Sequence, residues 1–239
     1  MLALLLAAEL AAAGAYPPLA DTAEVRTGGY LGSMYGTPIT RERFEWRGNS
    51  LLACVDYQAV GALLRVSLHR DESGRLERYA VTLDFLDQGP RRFEVRAVAG
   101  AVIWSSEEGG VWRERRLAVD PERPLIIFQS AVFSLYGQFA GFAVARGGDP
   151  VSVQGVYLEE GVIEEWTVER KGKELVVRSP GGVESRFPAD GAVPPRTVSI
   201  PAQGVTARPD REEGVPPIPL CSPPGRVLGP GGVSAAAEP

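Results

Sequence analysis

One histidine, His69, and a scatter of carboxylates are the side chains with which this chain could do acid–base chemistry. His69 lies beside a hairpin turn on the polar phase of its strand, with Asp71 nearby, which is the position of a solvated surface histidine. The adjacent carboxylates Glu107-Glu108, Glu159-Glu160 and Glu164-Glu165 fall in turns or on strands. Neighbours on a strand point to opposite faces, so neither member of such a pair supports the other. A glycosidase needs two carboxylates about 5–9.5 Å apart in a cleft, and here they would have to come from different strands. The segment "LGSMYG" (31–36) does not have the spacing of a nucleophile elbow. The stretch "RTGGYLGSMYGTP" (26–38) lacks the Gly-Lys-Ser/Thr ending of a phosphate loop. One histidine and two distant cysteines do not make a zinc site. Catalysis, a metal and a cofactor are therefore not expected.

The two cysteines are Cys54, in a predicted strand, and Cys221, in a Pro-rich tail. Two unpaired thiols are the expectation, because such a tail gives a disulfide no fixed geometry. The alternative, a Cys54–Cys221 bridge, would staple the tail to the sheet and fit an oxidising compartment.

Positioning is the work of strands. In "RVSLHRDESGRLERYAVTLDF", Leu64, Val66 and Leu68 alternate with Arg65, Ser67 and His69. A turn at Asp71–Gly74 follows, then Tyr79, Val81, Leu83 and Phe85 resume the apolar phase. "RRFEVRAV", "AVIWSS" and "VWRERRLAV" continue, and after residue 150 the pattern resumes through turns at Glu159–Gly161, Lys171–Lys173 and Pro180–Gly182. Linkers this short join antiparallel neighbours. The reading is mainly β: a curved antiparallel meander of about ten strands over 41–200, one face apolar and the other carrying salt-bridging charge. A Gly/Pro-rich connector is expected at 16–40 and a disordered Pro/Gly-rich tail at 201–239.

One segment breaks the alternation. In "PLIIFQSAVFSLYGQFAGFAVARGGDP" (124–150) apolar residues recur three and four apart, predicting a helix near 131–146. Only Ser134 and Gln138 interrupt its apolar surface before Arg146. Such a helix belongs in a trough. Gly137 and Gly141 each cost about 1 kcal/mol relative to Ala in a helix interior, which points to close backbone approach to the sheet.

Residues 1–15 form an apolar run ending in Ala13-Gly14-Ala15, the small-x-small pattern of a cleaved signal peptide. Against this, no Lys or Arg precedes the run and Glu9 interrupts it; the alternative is a retained N-terminal helix. The run is too short to span a hydrocarbon core of ~30 Å, so no transmembrane span is expected in the mature chain. The localisation implied is the periplasm or extracellular envelope space. A net charge of -5 and the absence of any Lys/Arg-dense stretch argue against a nucleic-acid partner.

A curved antiparallel sheet around an apolar helix resembles the half-barrel of the periplasmic lipoprotein carriers (LolA/LolB-like) and related exported families. The resemblance spans roughly 41–200 and rests on element order, exported character and aromatic content. It implies an acyl chain or another apolar group held between sheet and helix. Phe133, Tyr136, Phe139, Phe142, Trp104 and Trp166 are then the candidate ligand-binding residues; the alternative role for all of them is a solid core. Three functions follow: a carrier or shelter of an apolar, lipid-like group, a ligand-free envelope module recognising a protein partner, and a hydrolase with carboxylates on the concave face. Residue sizes lead us to expect little room beside the helix.

Overall fold

The computed structural model describes residues 25–85, 88–139, 150–192 and 194–210. Alternation of apolar and polar residues produces long strands joined by tight turns. They are β1 (Val25–Met34), β2 (Thr37–Arg47), β3 (Ser50–Tyr57), β4 (Ala62–Arg70), β5 (Leu76–Phe85), β6 (Arg91–Val98), β7 (Ala101–Glu108) and β8 (Val111–Ala118) in the first half. After β9 (Leu125–Phe128) the chain enters the interior, then continues through β10 (Val151–Tyr157), β11 (Val162–Lys171), β12 (Glu174–Arg178), β13 (Glu184–Pro188), β14 (Val198–Ile200) and β15 (Val205–Pro209). Among the described residues fifteen strands replace the ten or so expected, in part because β1 and β15 lie in segments read as connector and tail.

All fifteen join one sheet in the order β8-β7-β6-β5-β4-β3-β2-β1-β15-β14-β13-β12-β11-β10-β9. Two meanders are thus fused by the antiparallel β1–β15 pair, in which Gly32 faces Ala207 and Met34 faces Val205. The expected connector at 16–40 and tail at 201–239 must be corrected here. Residues 25–34 and 205–209 are the strands that join the two halves, and the 26–38 segment forms most of a hairpin with β2. Its turn uses positive φ at both Tyr35 (49°) and Gly36 (83°), the geometry that matches the twist of a two-residue hairpin. The signal-peptide segment 1–15 and the tail beyond 210 lie outside the described residues.

The sheet is so curved that its far parts meet. β9 packs beside β5 without pairing with it, and the Trp104 indole on β7 donates to the Leu158 carbonyl at 2.8 Å. The result is a barrel-like, mainly β fold. β8 lies beyond this closure with nearly every residue exposed. Opposite charges line up across strands on the outer face, among them Arg92–Glu107 at 2.8 Å and Arg178–Glu184 at 2.7 Å.

The helical segment has a topological cause. β9 and β10 are parallel neighbours, with Leu125 facing Gln154 and Phe128 facing Tyr157. A parallel connection must carry the chain back along the strand, which takes a dozen residues or more. The β9–β10 connection supplies that length, and its described part, residues 129–139, runs through the barrel interior. Of the helix expected near 131–146, a 3₁₀ turn at Phe133–Tyr136 and helical residues to 139 are described. Val132 through Phe139 are buried. Each large apolar side chain so buried contributes about 1.5–3 kcal/mol. Gly141, one of the two glycines expected to approach the sheet, lies outside the described residues; a close approach is seen at a glycine of the sheet. A Cβ at Gly32 of β1 would lie 2.6 Å from the Phe133 ring.

Cys54, expected to be an unpaired thiol, is disulfide-bonded. The chain's other cysteine is Cys221, outside the described residues.

Candidate functional site

The interior is not uniformly apolar. Along "ITRERFEW" (39–46), Thr40, Glu42, Phe44 and Trp46 share one phase of β2, and all four are buried, Glu42 completely. Its carboxylate meets the start of the interior helical turn. Oε2 accepts from the Phe133 N–H at 2.7 Å and Oε1 from the Ser134 N–H at 3.1 Å. These are backbone donors that no helical carbonyl could satisfy. Burial pushes the Glu42 carboxyl up to about 7, and the hydrogen bonds from Ser134 and Phe133 offset only part of that rise. Burial and the Glu42 charge likewise raise the phenol of Tyr30, whose hydroxyl donates to the Pro195 carbonyl.

Gln138 holds the other end of the described plug. Its Nε2 donates to the carbonyls of Ile127 and Leu135, both at 3.0 Å. Its Oε1 accepts from the Ile127 N–H at 3.2 Å and from Arg70 Nη2 at 2.5 Å. Ile127 belongs to the edge strand β9, so one side-chain amide does there what a neighbouring strand would do. Arg70 is only 2% exposed and also donates to the Gly74 carbonyl at 2.7 Å. Of the two polar residues that interrupt the apolar surface, Gln138 thus fixes the plug through its side chain and Ser134 through its backbone N–H. Glu42 and Arg70 were missed from sequence, yet both sit in phase with apolar neighbours, Glu42 with Phe44 and Trp46, Arg70 with Leu64, Val66 and Leu68.

Beside the plug lies a cavity of about 780 Å³, open at one mouth of the barrel. The expectation of little room is overturned: the described plug residues lie to one side of the lumen. The cavity is walled by seven aromatic residues, Tyr35, Tyr57, Phe128, Phe133, Tyr136, Tyr157 and Trp166, with aliphatic side chains such as Ile39 and Val183 between them. Phe128 and Trp166 stack with centroids 4.6 Å apart. Tyr136 packs edge-on to Phe128 and Phe187, and its hydroxyl is 2.9 Å from Ser185 Oγ. Burial pushes that phenol up to about 12, offset in part by the Ser185 bond. The partner that a buried phenol requires is thus Ser185.

Of the six candidate ligand residues, the structure brings Phe133, Tyr136 and Trp166 to this cavity. Phe139 is buried behind them against Tyr136 and Phe187, at 5.9 and 6.1 Å. Trp104 lies elsewhere, against the β10–β11 turn, with the Arg115 guanidinium 5.5 Å over its ring. Phe142 lies outside the described residues.

The carboxylates divide as strand alternation requires. Glu164 shares the inward face of β11 with Trp166 and lines the cavity, as does Glu160 of the preceding turn. Glu165 points outward, 3.1 Å from Arg123 and 2.8 Å from Ser152. Glu159 accepts from Gln129 Nε2 at 3.0 Å, and its carboxyl is raised, first by burial and then by Glu160. Glu42 and Glu159 thus both have raised carboxyls, but neither lines the cavity. His69 lies between Ser50 (Oγ–Nδ1 2.7 Å) and Glu77 (Nε2–Oε2 3.0 Å). This has the connectivity of a nucleophile relay, but it sits on the outer face with His69 and Glu77 more than half exposed. None of these three residues lines the cavity beside the plug. Among the described residues no cluster of His, Cys, Asp and Glu could hold a metal ion. None of the described helices is long and apolar enough to cross a membrane.

No family model matches this chain, and no curated protein does. Among solved structures, a β-barrel-like protein of a domain of unknown function, DUF1849, from Brucella abortus is similar over 77% of this chain and 93% of its own. The identity is 10% and the TM-score 0.46. None of these comparisons links the chain to the lipoprotein carriers.

Proposed function

We propose that this is a binding protein of the cell envelope that shelters an apolar or amphiphilic small molecule inside its barrel. The observation that carries this reading is the cavity of about 780 Å³ walled by seven aromatic residues, within the ~300–1,000 Å³ range of small-molecule sites. Export is supported by the apolar run and Ala-Gly-Ala at 13–15, and by the disulfide at Cys54, a bond rare in reducing compartments. Nothing in the geometry of the described residues indicates catalysis.

The test uses the full oxidised chain and N-phenyl-1-naphthylamine, a neutral probe that brightens in apolar surroundings. Saturable 1:1 binding is expected, accompanied by quenching of tryptophan fluorescence. Val183→Trp, which fills the cavity from a partly buried wall position, should weaken binding at least about tenfold without lowering the thermal midpoint. Absence of saturable binding, or equal binding by a folded Val183→Trp protein, would overturn the proposal.

A second reading has one specific observation in its favour. Val111 and Trp112, 60% and 52% exposed, lie on the end strand β8. Such an edge suits strand addition by a protein partner.

A further inference from the structure

From the electrostatics of the same cavity, we infer that its ligand is a small organic cation, an apolar or aromatic body carrying an ammonium-type head. The inference rests on the binding reading above and goes further by giving the ligand a charge. Its first support is that the described residues of the cavity wall include no Lys, Arg or His, but do include two carboxylates, Glu160 and Glu164. Against these residues an anionic head group such as a fatty-acid carboxylate would meet two like charges and so pay desolvation without return.

The second support is that neither carboxylate is ion-paired among the described residues; the nearby Arg115 guanidinium donates to the Glu160 backbone carbonyl at 3.1 Å, not to its carboxylate. Glu165, the residue after Glu164, is by contrast 3.1 Å from Arg123. Chain neighbours of the same chemistry thus differ in whether a cation is supplied from within the protein.

The third support is Gln129, a cavity-wall residue only 5% exposed. Its Nε2 donates to Glu159, and that carboxylate fixes the amide orientation, since turning it would set oxygen against oxygen. Its Oε1 is left buried with no hydrogen-bond partner. A buried acceptor without a donor costs stability, and a protonated amine supplies one. Ring faces complete the set, because the π-clouds of Trp, Tyr and Phe attract a desolvated cation. The phenol of Tyr157, on the same wall, already senses this field: burial and then the charges of Glu159, Glu160 and Glu164 raise it.

The experiment compares three single-chain amphiphiles of equal tail, each below its micelle-forming concentration: decylammonium, which keeps its N–H donors at pH 8, decyl glucoside and decanoate. Binding to the full oxidised chain at pH 8 is followed by tryptophan fluorescence and calorimetry. The cation is expected to bind at least about tenfold more tightly than the carboxylate, a gap of about 1.4 kcal/mol, with the glucoside between. In the Glu160→Gln/Glu164→Gln variant that order should collapse while the glucoside affinity is retained. Equal affinities for all three, or a preference for decanoate, would overturn the cation assignment and leave the binding reading standing. A cation preference that survives the double substitution would also overturn it. If neither these three nor the neutral naphthylamine binds, the binding reading fails first and this inference with it.

Discussion

Glu42 gives the sharpest test of the interior just described. It is fully buried, and its carboxyl titrates near 7 in the folded protein instead of 4.5. Between those two pH values the folded state keeps a proton that the unfolded chain has lost. Stability therefore falls as pH rises across that window. Its contribution is fully present below about 4.5 and gone once pH exceeds the folded value. A difference of 2.5 pH units at 1.36 kcal/mol each corresponds to about 3 kcal/mol. The perturbation is Glu42→Gln, which preserves shape and one acceptor for the N–H groups of Phe133 and Ser134 while removing the titration. Urea unfolding of the oxidised chain should be measured for both proteins at pH 5 and pH 8. The difference cancels contributions from all other groups. Relative to the wild type, Glu42→Gln is expected to gain about 2.5 kcal/mol between pH 5 and pH 8, where the wild type must bury a charge. If the difference between the two proteins is the same at both pH values, the carboxyl does not titrate in this window. The claim that burial outweighs its two backbone donors would then be wrong. A wild type that gains on the variant between pH 5 and pH 8 would refute it in the opposite direction, by showing that the cap is worth more than the desolvation costs.

Gln138→Leu keeps the volume of the side chain but removes its bonds to the edge strand and to Arg70, leaving the Ile127 N–H and carbonyl without that partner. A loss of about 2–4 kcal/mol is expected from urea titration, and a loss below about 0.5 kcal/mol would mean that the plug is held by packing alone. Ser50 should not react with a fluorophosphonate probe at a rate above that of the Ser50→Ala or His69→Ala proteins, as read by intact mass. Stoichiometric labelling of Ser50 would show that the outer-face relay is active.

The comparison of sequence with structure turns on a few elements. Alternation in "RVSLHR" and "RRFEVRAV" placed the strands and their faces, because a period of two is written in neighbouring residues. The apolar spacing after Pro124 marked an interior helical segment. Glu42 and Arg70 were legible by phase and were overlooked, since a charged residue on a strand reads as outward until its neighbours are counted. The partner of Tyr136, Ser185, lies 49 residues away and carries no local mark.

By itself, then, the sequence determined most strands of the two meanders and their inward phase, the break at the interior segment and the carboxylates that face opposite ways at Glu164 and Glu165. Tertiary structure alone decided that β1 meets β15, that β9 and β10 run parallel around the plug, and that a void of about 780 Å³ remains beside Phe133 and Tyr136. The reason is physical. Side-chain phase is a property of adjacent residues, whereas pairing of the chain's distant ends and the radius of a closed sheet depend on twist accumulated over fifteen strands. Room for a ligand is the small difference between that radius and the volume of what fills it, and no short stretch of residues encodes a difference of that kind.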